Sequence, residues 1–557
     1  MMEMLNFIYT DIVNFFLPSM KWSIVLASTC TVLTSFSVAQ FLLWIKGNRL
    51  PRHGKLPPGP PSWGPLVGNL PQFRTSMRTP HVRAQELAKT YGPVMRVQMG
   101  GKVLIFISDP KIADRCFKDN DHNFANRPSI AAQKYLLYGG DHPSLAPIGD
   151  FWRSARKLYT TELLSGKKLQ EFQVVRSEEM GQAVQDIYEA SARDASINMH
   201  DLFTKLFTNV ITRMTMSRRF FNSANSAAKT LNETDSEAGS GNAELNDSMG
   251  NEWQQLIDSN HELMTRLLLE DVSPALAWVD ILTGVRPRMQ NSFARMDRLL
   301  QKVVDDHKAE LSSREKDSEN LDFIDVLLML RDSSKTQFLS DRTIKAFSLD
   351  TIGAASETST VTSEWALSEL LTNPEVMDKA REEVDSVVGK DRTVLESDLP
   401  NMPYIRALVN ESLRLHPPLP WLVPHTNLMD CTLEDYNIPA NSILMFQVWA
   451  MQRDPLLWER ALEFDPSRFL NSDMDVKGMH TGLMPFGAGR RMCPGYNLGL
   501  TVLQYTLARL IHSFDWSTTD PQVPLDMTEK FGLTSLRRAS VLHAKARPRL
   551  PHHLYTT

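Results

Sequence analysis

Four cysteines are few for a chain of 557 residues. They stand at Cys30, Cys116, Cys431 and Cys493 with no CxxC spacing, which excludes a dense disulfide framework and a zinc site built on paired cysteines. Excess positive charge is missing as well. The formal net charge is -5 and charged residues make up 22% of the sequence, so nucleic acid is excluded as a partner class. No long flexible linker divides the chain, and its length is therefore compatible with one large helical unit.

Of uncharged apolar runs long enough to matter there is one, Trp22 to Ile45. At about 1.5 Å per helical residue it spans roughly 36 Å, enough to cross a bilayer core. Residues 22–45 are therefore expected to form a transmembrane anchor, with 1–21 lumenal. A cleaved signal peptide ending at Ser37-Val38-Ala39 is the alternative. Lys46, Arg49, Arg52 and Lys55 follow the run, which by the positive-inside tendency leaves the rest of the chain in the cytosol. The sequons at Asn232 and Asn246 then stay unmodified. Residues 46–70 read as a basic, proline-rich hinge, since KLPPGPPSWGPLVGNL forbids a helix and favours stiff extended chain. From 71 to 557 the chain reads as one domain. Within it, 222–250 lacks an apolar period and is expected to be a mobile surface insertion.

The stretch on which the rest depends is FGAGRRMCPG, Phe486 to Gly495. Glycines let backbone approach a flat ligand, and the amides beside Cys493 can point at its sulfur and favour a thiolate. A lone cysteine is more often a buried small hydrophobe. Here the pattern FxxGxRxCxG is met at Phe486, Gly489, Arg491, Cys493 and Gly495, and it resembles the haem-binding loop of the cytochrome P-450 superfamily. That resemblance makes Cys493 the axial thiolate of haem b, whose electron donation favours O–O cleavage. It also lets Phe486 cover the sulfur and brings Arg491 to a haem propionate.

Other segments carry the same resemblance in the expected order. In FWRSARKL, Trp152 and Arg156 fall on one face of a helix and are implied propionate donors, as is His425 in the Pro-His pair. The helical pattern Asp341 to Leu371 has GAASETST at its middle, which resembles the family's oxygen-binding centre [AG]Gx[DE]T[TS]. Ala355 stands where that pattern has glycine. Thr358 is implied to hold oxygen and an ordered water, with Glu357 as proton relay. A Glu411/Arg414 pair alone would be an ordinary salt bridge. With FDPSRF further on it resembles the family's structural triad, completed by Arg468. VMRVQMGGKVLIFI, Val94 to Ile107, reads as a hairpin about Gly100-Gly101, and further helical patterns run over Glu252 to Leu269 and Met289 to Leu311.

The whole resembles a plant-type microsomal member. It implies a mainly α fold with small β-sheets behind one membrane helix, in the endoplasmic reticulum membrane and facing the cytosol. It also implies O2- and NADPH-dependent insertion of one oxygen atom, with electrons from NADPH-cytochrome P-450 reductase. Candidate substrate contacts are Tyr138, Leu145, Ala354, Trp421, Val423 and Thr534, mostly apolar, which favours a lipophilic small molecule held by burial. VTSEWALSEL and ARPRLPHHLY resemble more particularly the plant in-chain hydroxylases of medium-chain fatty acids, so that substrate is expected first. A phenylpropanoid, flavonoid or other specialised metabolite is the alternative, since HPPLPWLVPH suits those hydroxylases. A haem-binding protein without turnover and a haem-thiolate isomerase or dehydratase are the competing classes.

Overall fold

The computed structural model describes residues 55–556 apart from 65–66, 75–78, 222–249, 251, 254, 258, 261–262, 265, 267, 314–320, 333–337 and 532–534. Helices dominate. The longer ones are α1 (Pro80–Tyr91), α2 (Pro110–Lys118), α3 (Asp150–Leu158), α4 (Gln173–Ala192), α5 (Met199–Met216), α6 (Val285–Ser313), α7 (Phe323–Asp332), α8 (Asp341–Thr372), α9 (Pro374–Val388), α10 (Pro403–Leu415) and α11 (Tyr496–Ser513). Eleven short strands are described: β1 (Val94–Met99), β2 (Lys102–Ile107), β3 (Ile197–Asn198), β4 (His425–Thr426), β5 (Cys431–Leu433), β6 (Tyr436–Ile438), β7 (Ile443–Phe446), β8 (Phe514–Thr518), β9 (Glu529–Phe531), β10 (Leu536–Arg538) and β11 (His543–Pro548). They form a mixed sheet in the order β1-β2-β7-β4, a three-stranded sheet β3-β11-β8, and the hairpins β5-β6 and β9-β10. The expected hairpin at Val94 to Ile107 is β1-β2, paired from Val94↔Ile107 to Met99↔Lys102.

Helix α8 is the axis of the fold, about 48 Å long for its 32 residues. Ser340 caps it by accepting from the Thr343 amide, and Pro374 after Asn373 stops it. Its serines and threonines cost little in the interior because their hydroxyls bond carbonyls one turn back. Ser348 donates to Ile344, Thr351 to Phe347, Ser356 to Ile352 and Thr362 to Thr358. Phe347 and Ile352 are buried in one cluster with Phe203 and Phe207 of α5, and buried Trp365 stacks on His416 at 4.0 Å. Burial is interrupted at mid-length, where Gly353 and Ala354 are exposed inside an otherwise buried helix. An opening therefore reaches the middle of α8.

The proline-rich segment is no free linker where it is described. The Arg96 amide donates to Pro58 O at 2.8 Å, Asn69 Nδ2 donates to the carbonyls of Pro60 and Pro61, and Lys55 bridges in parallel to Tyr436. A Cβ at Gly59 would lie 1.9 Å from Arg96 O, so glycine is required for this approach. Residues 55–64 thus belong to the body rather than to a hinge. Among the described residues no helix is long and apolar enough to cross a membrane, and the run Trp22 to Ile45 lies outside them. The segment 222–249 also lies outside. Its flanks meet, with the rings of Phe220 and Trp253 5.0 Å apart.

Candidate active site

Phe486 to Gly495 forms a closed loop ahead of α11. The Cys493 amide donates to Phe486 O at 2.9 Å, folding the chain back around the two arginines. Gly489 turns at a φ of 65°, and a Cβ there would stand 2.6 Å from Asp121 Oδ1. That carboxylate holds the Arg490 amide and Nε, so no side chain fits. Burial pushes the Cys493 thiol up, while the Gly495 amide and Arg156 favour the thiolate.

Helix α3 docks on this loop and brings Trp152 and Arg156 to it from one face. Arg156 Nη1 donates to Met492 O at 2.6 Å, and the Trp152 ring lies 4.3 Å from the Arg491 guanidinium. Arg491 donates Nε to Ala125 O and Nη2 to Ala146 O, at 2.7 and 2.6 Å. Its Nη1 is buried and, among the described residues, has no hydrogen-bond partner. Arg127 joins them, although charge and position in NFANRP gave no sign of it. Its Nη1 donates to Val423 O at 2.7 Å and to Pro424 O at 2.9 Å, and its Nε to Ser144 O at 3.2 Å. All three guanidiniums are lowered from their ordinary value, by burial first. Arg491 then adds to the effect on Arg127, and Arg156 to that on Arg491. Such crowding is relieved by negative charge.

His425 differs from its expected part. Its Nδ1 donates to Phe124 O at 2.9 Å, and burial, followed by Arg127, lowers its pKa well below the ordinary value. A neutral ring in that tautomer has no N–H left for a carboxylate. Asp350, absent from the sequence reading, takes the Ser144 hydroxyl at 2.8 Å and the Tyr159 hydroxyl at 2.9 Å. It fixes the 142–146 segment against α8.

On α8, Thr358 Oγ1 donates to Ala354 O at 2.8 Å, and the helix is continuous through Ala355. Glu357 is buried, its Oε1 accepting from Ser535 Oγ and Arg537 Nε, each at 2.6 Å. Behind the loop, Arg414 grips Glu411 through Nε at 2.6 Å and Nη2 at 2.9 Å, and Arg468 Nε reaches Glu411 Oε1 at 3.0 Å. The expected triad is therefore assembled. Among the expected substrate contacts, Ala354 faces the opening and Leu145 is half-buried. Trp421 is half-buried with its ring edge-on to Phe106 at 5.4 Å, and Val423 offers its carbonyl to Arg127. Tyr138 is taken up by the core, with its hydroxyl on Asp297 at 2.7 Å. Thr534 lies outside the described residues.

The family description Cytochrome P-450 matches residues 57–541. The chain belongs to the cytochrome P-450 family. It is similar to a flavonoid 3',5'-hydroxylase of Solanum melongena, 35% identical over 90% of this chain and 93% of that one. It is likewise similar to Cytochrome P-450 CYP736A12 of Panax ginseng, 37% identical over 90% and 94%, and to a flavonoid 3'-monooxygenase of Arabidopsis thaliana, 34% identical over 90% and 93%. A zebra fish cytochrome P-450 structure with abiraterone shares the fold, with a TM-score of 0.68 at 22% identity over 84% of this chain and all of that one.

As a plant-type member of this family the protein is a monooxygenase, and the family implies a haem with a cysteine thiolate ligand together with an electron-donating redox partner. The residues present fit that group. Cys493 offers the sulfur, the opening at Gly353 and Ala354 leaves space beside α8, and the unpartnered Arg491 Nη1 is a donor for a carboxylate. When bound, haem supplies the activation of dioxygen and its insertion into substrate. Cys493 would hold the iron as a thiolate, and Arg491 with Trp152 and Arg156 would take the haem carboxylates.

Proposed function

We propose that this cytochrome P-450 hydroxylates a flat, neutral aromatic metabolite of the flavonoid or phenylpropanoid class, rather than a medium-chain fatty acid. The observation that carries this reading is identity of about a third over nine-tenths of the chain with flavonoid hydroxylases. Geometry agrees with it. A fatty acid brings a carboxylate that needs a cation, yet Arg127 is committed to backbone carbonyls and Arg537 to Glu357. Half-buried Trp421 provides an aromatic surface of the kind on which a planar ring stacks.

The test is a spin-state titration of microsomes carrying the full chain, with flavanones and uncharged cinnamyl alcohols against saturated medium-chain acids. A high-spin shift and an NADPH-dependent product one oxygen heavier with an aromatic supports the reading. The same pair of signals with the acids alone overturns it.

Residues 22–45 are proposed to anchor the chain in the endoplasmic reticulum membrane, with 1–21 lumenal and the body in the cytosol beside NADPH-cytochrome P-450 reductase. The uncharged run at Trp22 to Ile45 supports this, as do exposed Trp278, Ile281 and Leu282, which suit a lipid surface. Carbonate extraction decides it: an anchored chain stays in the pellet, and release into the supernatant refutes the anchor.

A further inference from the structure

Glu357 and Thr358 are neighbours in sequence, so their side chains leave α8 about 100° apart. Thr358 shares a face with Ala354, at the opening. Glu357 instead shares a cleft with Gly353 and Ser356, closed on its far side by Thr204, Thr208, Trp253 and Ile257. The cleft offers about 20 Å³ to water-sized molecules, room for about one ordered water, and its walls, though more apolar than polar, include Thr204, Thr208, Ser356 and Glu357. At its end the Glu357 carboxylate is clasped by Ser535 Oγ and Arg537 Nε, each at 2.6 Å.

The clasp comes from a rigid element. Strand β10 is fixed at Leu536, whose amide donates to Pro418 O and whose carbonyl accepts from Trp365 Nε1, both at 2.8 Å. Its partner β9 is fixed by Glu529, which bonds His81 at 2.9 Å and both Trp449 Nε1 and Arg453 at 3.0 Å. The Arg537 side chain is 34% exposed, so it joins the buried carboxylate to bulk water.

We propose that Arg537, with Ser535, is a positioning residue that holds Glu357 between the water of this cleft and Thr358, and so controls proton supply to the reacting oxygen. Glu357, held as a carboxylate, takes one proton from cleft water that bulk water resupplies and passes it on toward the Thr358 hydroxyl, returning to the carboxylate, while Arg537 keeps its charge throughout. No electron moves in this step. His200 of α5 pairs with Glu364 of α8 at 2.8 Å and feels the charges of both Glu357 and Arg537. The proposal rests on the family's monooxygenase chemistry and not on the choice of substrate.

The experiment uses the full-length, haem-loaded chain with reductase, comparing Arg537→Gln, Arg537→Lys, Glu357→Gln and the Glu357→Gln/Arg537→Gln double variant. The flavanone naringenin is the probe. Arg537→Gln is expected to lower product per NADPH about tenfold and to raise the solvent deuterium isotope effect. The naringenin-induced spin-state midpoint stays within about twofold, since Arg537 acts through Glu357. Arg537→Lys restores most of the loss, and the double variant is no worse than Glu357→Gln.

Unchanged coupling in Arg537→Gln overturns the proposal. So does a double variant whose losses multiply, or a loss of spectral binding in step with product. A wild type that ignores naringenin refutes the substrate reading instead. The clasp is then judged on substrate-free peroxide release, where equal isotope effects in all four variants overturn it.

Discussion

Replacing Arg414 by methionine keeps most of the side-chain volume and removes one buried charge. The guanidinium is fully buried and bonds Glu411 twice, Gln452 O and Ala461 O at 2.8 Å, and Glu463 O at 3.2 Å. It also lies 5.1 Å from the Trp458 ring. Without it, fully buried Glu411 keeps only Arg468 and the Asp465 amide. Removing one partner of a buried pair costs about 3–5 kcal/mol, and the lost ring contact adds about 0.5–1 kcal/mol. A loss of about 4 kcal/mol or more is therefore expected for Arg414→Met. Arg468 makes one bond to Glu411 and is 11% exposed, so Arg468→Met should cost about 2 kcal/mol. Urea unfolding of the two variants at equal haem content, followed by tryptophan fluorescence, measures the difference. The reasoning is refuted if Arg468→Met is the worse variant, or if Arg414→Met lies within about 1 kcal/mol of wild type.

Cys493→Ala should abolish the red-shifted Soret band of the reduced carbonyl complex, whereas Cys116→Ala and Cys431→Ala keep it; a normal spectrum without Cys493 rules out that ligand. Thr358→Ala should retain the substrate-induced spin-state shift but divert NADPH electrons to peroxide, which product per NADPH records. His307 is pulled down by burial, but its Asp322 hydrogen bond at 2.8 Å and the charge of Asp322 hold it above its ordinary 6.5. Stability from this pair is then complete below that ordinary value and is lost as pH rises through the raised one. His307→Gln should flatten the fall in Tm between mildly acid and mildly alkaline buffer.

Local packaging decides what the sequence discloses. Cys493, Gly489 and Arg491 lie within one short loop, and Trp152 with Arg156 on one helical face, so spacing alone brings them together. Glu411 and Arg414 are likewise one turn apart. Arg127 sits in a stretch that reads as an ordinary loop, and its value comes from Val423, Pro424 and Arg491, which only the fold delivers. Ser535 and Arg537 meet Glu357 across nearly two hundred residues, a pairing no local pattern announces. His425 reads from the Pro-His pair as a propionate donor, but its Nδ1–H is spent on the Phe124 carbonyl, a partner no local pattern names. Proline density told of extended chain at Lys55 to Leu70, yet it was silent on the Arg96 strand edge that receives it. Substrate choice was not legible, because apolar contacts do not distinguish an alkyl chain from a planar ring and short segments such as VTSEWALSEL do not line a pocket by themselves.

The strap formed by residues 55–64 also makes the molecule a machine for carrying load. It is hydrogen-bonded to β1 and bridged in parallel to Tyr436 of β6. Tension applied at residue 54 therefore enters the body along the strap and its bonds to β1, instead of being absorbed by slack chain. Pulled there in an optical trap, the body should follow the tether as one stiff object up to a distinct rupture event, and Gly59→Val should lower that rupture force by forcing the strap off Arg96.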